Sequence, residues 1–169
     1  MIIRLIPIKE TEKEKFIKDL QSAFEVSVIK EYGKQDEEAI PRKDIEDSIN
    51  AKGVETFNIS LNNEIVGGVA IAINEKTLHN SLELFFIKEN YQSKGIGLSV
   101  WKAVEKKYPN TKVWETVTPY FEKRNIFMSI DADLKSLNFL ILIIKTITLI
   151  ICKKIIQLDR IIFLDLKKK

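Results

Sequence analysis

The apolar positions of the chain change period several times between its start and residue 126, and each change marks an element. Residues 2–8 form a short apolar run, a first strand ended by Pro7. Thr11, with Glu14 three residues later, has the spacing of a helix-opening capping box. Phe16, Leu20, Ala23, Phe24 and Val28 then mark one apolar helical face as far as Tyr32, and Gly33 stops it. After a charged loop, Pro41 opens a second, short helix through Ile45, Ile49 and Ala51, which Gly53 ends. Residues 54–61 alternate as a strand, Asn62-Asn63 turns the chain, and 65–73 returns as the other arm of a hairpin. Gly67-Gly68 inside that arm marks a close backbone approach. A turn over 74–77 leads to a central strand, 78–87. Leu98, Trp101, Val104 and Glu105 restore a helical spacing, and 112–115 reads as strand again. The order predicts an α/β (α+β) layer around a mixed, mostly antiparallel central sheet.

The stretch between the central strand and its helix carries the chemistry. Leu82, Leu84, Phe85, Phe86 and Ile87 run into a polar turn that closes on Gly95-Ile96-Gly97. The first N–H groups of a helix have no partner inside it, and the helix dipole favours negative charge there. Two glycines at that point let a phosphate reach the backbone. A dinucleotide site would need a third glycine where Val100 stands, and would begin directly after the strand rather than after a polar insertion. Glu115 does lie at the spacing of that fold's ribose acid, but an oxidoreductase binding NAD is not expected.

The order present is a hydrophobic strand, Glu89-Asn90-Tyr91, then Gln92-Ser93-Lys94-Gly95-Ile96-Gly97. It resembles the acetyl-CoA-binding motif of the GNAT acyltransferase superfamily, Q/R-x-x-G-x-G/A, with Gln92, Gly95 and Gly97 at the patterned positions. The strand around Trp114 and the stretch Thr118-Pro119-Tyr120 to Asn125 resemble that superfamily's next strand and helix. The resemblance covers residues 1–126. It implies an N-acetyltransferase that uses acetyl-CoA as co-substrate and transfers its acetyl group to a primary amine by direct attack, with no metal. It implies that the last strand runs parallel to the central one and splays from it, with pantetheine in the wedge. Phe85 and Ile87 would then offer backbone groups to pantetheine. Gln92, Ser93, Lys94, Gly95, Ile96 and Gly97 would hold the pyrophosphate, and Asn125 would contact the pantetheine arm. The alternative is a CoA-binding module without catalysis or an inactive fragment of such an enzyme.

An amine attacks only in its neutral form, and a lysine-like amine has a pKa of about 10.4, so a base must help. Glu83 is the first candidate: it sits between Leu82 and Leu84, and alternation points it away from their side. Glu115, at the end of the splayed strand, is the second. Each also reads as an ordinary solvated carboxylate. His79, the single histidine, reads as a turn residue, and Trp101, Val104 and Trp114 read as core. The superfamily's usual tyrosine acid has no counterpart after Tyr120. Glu37-Glu38, in the loop where that superfamily sets acceptor choice, reads first as a plain exposed charge run, though it would also suit a cationic amine, free or on a peptide.

Charge changes the picture only at the end of the chain. The whole is +3, yet residues 127–169 hold eight Lys/Arg and four Asp, while 1–126 hold 19 basic and 20 acidic residues. A balance so near neutral does not suit nucleic acid, which wants a concentrated basic face. The single Cys152 forms no internal disulfide and fits a reducing cytoplasm. The apolar run at the start is too short for a signal peptide, and Lys145 interrupts the run from Phe139 short of the ~18 residues that cross a membrane. Self-association into a homodimer is left open. Residues 127–169 keep neither period and contain no Gly or Pro. Read one base earlier in A/T-rich codons, 127–153 permits a Tyr and a Gly-Phe turn of the superfamily's kind. The segment is therefore expected to be a frameshifted tail, with a divergent pair of strands near 139–144 and 147–152 as the alternative.

Overall fold

The computed structural model describes residues 2–34 and 38–116. Asn62 and Asn63 sit at φ of 51° and 69°, the left-handed pair that a two-residue hairpin turn requires. They join β2 (Val54–Leu61) to β3 (Glu64–Ala72). Before them come β1 (Ile3–Pro7), α1 (Lys13–Tyr32) and α2 (Arg42–Asn50). After them come β4 (His79–Ile87), α3 (Ile96–Lys107) and β5 (Val113–Thr116). One sheet runs in the order β1-β2-β3-β4-β5. Its first three pairings are antiparallel, and β5 joins β4 in parallel, Ser81 beside Glu115 and Leu82 beside Thr116.

Both faces of this sheet are buried. On one, Ile96, Val100, Trp101 and Val104 of α3 pack on Phe57, Ile59, Val69, Ile71, Leu82 and Phe85. On the other, Phe16, Ile17 and Leu20 of α1 and Ile45 and Ile49 of α2 pack on Ala70 and Phe86. Each large side chain so buried contributes about 1.5–3 kcal/mol. The two clusters explain why residues 84–87 are apolar without a break.

Strict alternation fails in β4. Ala70 faces Leu84 and Ile71 faces Leu82, so Glu83 is an extra residue with no partner in β3. This β-bulge sends Leu82 into the α3 cluster and Leu84 against the α1–α2 cluster. The expectation that Leu82 and Leu84 share a side is corrected accordingly. A second correction concerns the start of α1. Thr11 lies in a 3₁₀ turn, Glu10–Glu12, that precedes α1; the capping box belongs to that turn, where the Glu12 carboxylate accepts the Lys9 N–H at 2.8 Å, and no side chain caps α1 itself. Glu14 instead binds Arg42 of α2 through both oxygens, at 3.1 and 2.6 Å, while Glu46 takes the third side of that guanidinium at 2.7 Å. The proposed splay of β5 and the whole question of residues 127–169, frameshifted or strand-forming, lie outside the described residues.

Gly67 and Gly68 cross β4 without clearance for a side chain. A Cβ at Gly67 would collide with the Phe86 carbonyl oxygen, and one at Gly68 with the Phe16 and Phe86 rings. Backbone cannot step aside as rings can, so Gly67→Ala should destabilise more than Gly68→Ala, each by at least about 1–3 kcal/mol in urea unfolding.

The Arg42 hydrogen bonds, with help from Lys18, hold the Glu14 carboxyl at about 2, below its usual 4.5. A depressed carboxyl stabilises the fold above its unfolded pKa and loses that contribution as pH falls through its folded one. Melting temperatures of wild type and Glu14→Gln should therefore differ at pH 6 and converge between about 4.5 and 2. Added salt should narrow the gap at pH 6, because the pair is exposed.

Candidate active site

β4 presents its two edges differently. The Lys88 N–H reaches the Val66 carbonyl at 2.9 Å, so in the antiparallel ladder Phe86 and Leu84 also bond toward β3. Phe85 and Ile87 alternate with them and point their N–H and C=O groups to the opposite edge. There β5 accompanies β4 only as far as Leu82, and among the described residues no strand pairs with β4 beyond it. Gln92 Nε2 donates to the Ile87 carbonyl at 2.8 Å, which confirms the direction of that group and ties the turn to the strand end.

The turn leads straight into α3. Ser93 and Gly95 stand at φ of 60° and 69°, and Gly95 is the residue before the first helical turn. A left-handed residue costs a serine about 1–3 kcal/mol, and such strain gathers at ligand sites. Left-handed residues beside a right-handed helix start turn successive N–H groups toward one concavity. No side chain caps α3, and its first turn holds no acidic residue, so the N–H groups of Ile96, Gly97 and Leu98 meet no competing carboxylate there. Lys94 Nζ donates to the Asn90 carbonyl at 2.9 Å and stands 5.6 Å from the centre of the Tyr91 ring. A hydrogen bond to the Glu64 carboxylate raises the Tyr91 pKa, so that ring adds no negative charge. The described residues fit a phosphate-bearing ligand: exposed positive charge at Lys94 and helix-start donors with no acidic residue in the first turn.

At the other end of that edge two carboxylates flank Ser81. Glu115 lies in register beside Ser81, and Ser81 Oγ donates to Glu83 Oε1. Glu83 and Glu115 are both exposed. The structure thus brings the two sequence candidates together around Ser81, which sequence reasoning passed over; its signal was a hydroxyl two residues before a strand carboxylate. His79 is exposed at the start of β4. Asn125 lies outside the described residues.

Asn80 was likewise missed. It is 5 % exposed, accepts the Asn74 N–H at 2.9 Å and donates to Thr111 Oγ1 at 2.7 Å, while Thr111 donates to the Tyr108 carbonyl at 2.9 Å. This chain of bonds fastens the turn before β4 to the loop before β5. The Leu78 carbonyl completes it by accepting the N–H groups of Lys112 and Val113.

The sequence profile of the acetyltransferase (GNAT) family matches residues 15–126. The chain belongs to the GNAT family. The uncharacterised protein YrkN of Bacillus subtilis is 49 % identical over 119 residues, which is 70 % of this chain and 64 % of that relative. The match therefore spans somewhat less than two thirds of YrkN. Solved structures share the fold at low identity. The candidate acetyltransferase YycN of B. subtilis superposes with a TM-score of 0.63 at 15 % identity, over 78 % of this chain and 91 % of that one. Tetrahymena GCN5 gives 0.57 at 14 %, over 76 % and 77 %. The PaiA N-acetyltransferase of Thermoplasma acidophilum, solved in complex with coenzyme A, gives 0.57 at 14 %, over 78 % and 89 %. The GNAT fold accounts for the mixed sheet with its single parallel pair. Among the described residues no helix is long and apolar enough to cross a membrane.

Asn80→Leu keeps the volume and removes both bonds, leaving the Asn74 N–H without its acceptor. It should cost about 1–3 kcal/mol in chemical unfolding. Amide exchange should speed up at Lys112 and Val113, the residues that open β5.

Proposed function

We propose that this chain transfers the acetyl group of acetyl-CoA to a primary amine. One observation carries the reading: the edge of β4 toward which Phe85 and Ile87 turn their backbone groups is joined, through one turn tied back by Gln92, to the uncapped start of α3. A pyrophosphate held at Gln92 to Gly97 and a pantetheine arm hydrogen-bonded along Ile87 and Phe85 would occupy one continuous path. A strand rises about 3.3 Å per residue, so that path covers about 13 Å from Ile87 to Glu83. It ends at the two carboxylates.

Bound acetyl-CoA supplies an acyl thioester already activated toward a nucleophile. The chain supplies orientation and a proton acceptor. Glu83 takes the proton from the incoming ammonium group, and Glu115, adjacent across the parallel pair, draws and orients the cation. The neutral amine then attacks the thioester carbon, the carbon–sulfur bond breaks, and the second proton of the amine passes to the departing thiolate, leaving amide and free thiol. Free polyamines, amino sugars and peptide amines all present the required cation, and the acidic pair selects for that charge rather than for one carrier.

Free-thiol release from acetyl-CoA over a panel of amines tests the reading. Wild type should release thiol with at least one of them. Glu83→Gln should lower kcat by about 10²-fold or more with little change in KM for acetyl-CoA. Gly95→Val, which places a β-branched side chain at φ 69°, should instead weaken coenzyme binding by calorimetry. Coenzyme binding with no thiol release against any amine would favour a binding module without catalysis.

A further inference from the structure

Glu83 is not an ordinary strand residue. As the extra residue of the β4 bulge it has no cross-strand partner in β3, and its side chain is exposed. A carboxylate so placed has several rotamers open to it, and a base that wanders is a poor base: proton transfer needs hydrogen-bond reach, about 2.6–3.2 Å, to the ammonium. One side chain restrains it. Ser81 Oγ donates to Glu83 Oε1 from two residues earlier on the same face of the strand. Ser81 is itself half-buried and held from both sides, by Ala72 of β3 and Glu115 of β5.

We propose that Ser81 is the positioning residue of the acceptor site. Its hydroxyl occupies one oxygen of Glu83, fixes the carboxylate over the β4–β5 junction, and leaves the other oxygen for the amine. The proposal rests on the transferase reading above and adds to it a residue that contacts neither acetyl-CoA nor the transferred proton. Its chemistry is selective. A hydroxyl serves as donor, so threonine can replace serine, whereas alanine cannot. The acid beside it in register, Glu115, shares the acceptor side, but the Ser81 hydroxyl donates to Glu83; the asymmetry assigns proton removal to Glu83 and cation attraction to Glu115.

The test is a double-mutant cycle with a rescue. Ser81→Ala should lower kcat about tenfold while KM for acetyl-CoA stays within about twofold, and Ser81→Thr should restore most of the rate. In a Glu83→Gln background the same Ser81→Ala change should cost little further rate, because the two groups act as one. An equal loss in both backgrounds overturns the proposal, as does a Ser81→Ala enzyme with wild-type kcat. The carboxyl ¹³C resonance of Glu83 reads the bond without turnover. It should shift in Ser81→Ala and return in Ser81→Thr, and a resonance that stays put overturns the proposal even if no amine is acetylated. A wild type that releases thiol with no amine, yet shows the resonance shift, removes the transferase reading and leaves the Ser81–Glu83 restraint standing.

Discussion

The structure depends on one asymmetry of the backbone in β4. In an antiparallel ladder, residues alternate between bonding their neighbour and facing away. Leu84, Phe86 and Lys88 bond β3, so Phe85 and Ile87 must face the other edge. Unpaired backbone groups are costly when buried and are left open only where something else will meet them. Among the described residues β5 covers that edge only to Leu82. The pantetheine arm proposed above, with amide groups of its own, has the polarity to continue the ladder along the edge that the described strands leave uncovered.

Holding β4 at that spot takes the two glycines of β3 and two networks at its ends. Gly67 and Gly68 let β3 and β4 close up beneath Phe16, and the Phe16–Phe86 ring pair, 5.3 Å between centres and edge to face, fills the space they leave. At the start of β4, Asn80 gathers the flanking loops through buried bonds. At its end, Lys88 meets Asp19 of α1 at 3.0 Å and Gln92 closes on Ile87. The edge proposed to receive the coenzyme is thereby braced from its other side. This is the usual requirement for a site whose geometry is set before binding.

Much of this was legible in the residues because it rests on local chemistry. Residues 54–61 alternate, the Asn-Asn pair admits left-handed φ, Gly33 and Gly53 end helices or turns at positive φ, and the glycine pair of β3 announces a close approach. Periodicity was blind where tertiary packing overrode it. The bulge at Glu83 leaves no mark in the sequence, since an apolar run buried on both faces looks the same with or without a phase change. Asn80 carries no signal of its own within the strand run until the loop carrying Thr111 is folded beside it, thirty-one residues later. The Thr11–Glu14 box failed for a similar reason: Glu14 had a stronger partner in Arg42, twenty-eight residues away, and Glu12 closes the 3₁₀ turn before the helix instead.

The bulge also explains how one strand serves two tasks that alternation alone would set in conflict. A cofactor-binding edge wants Phe85 and Ile87 in phase with the α3 cluster, where their rings and branches anchor the strand. A proton acceptor must stand free of that core, on the side where the acceptor arrives. With strict alternation Leu82, Leu84 and Phe86 would share one face, and residues 81, 83, 85 and 87 the other, which would put Glu83 in line with two apolar anchors. The inserted residue resets the phase between Leu82 and Leu84, so the strand is core on both faces beyond the bulge and polar on one face before it. Burial and chemistry are separated along the strand by a single extra residue, and the acyl group would arrive at the boundary.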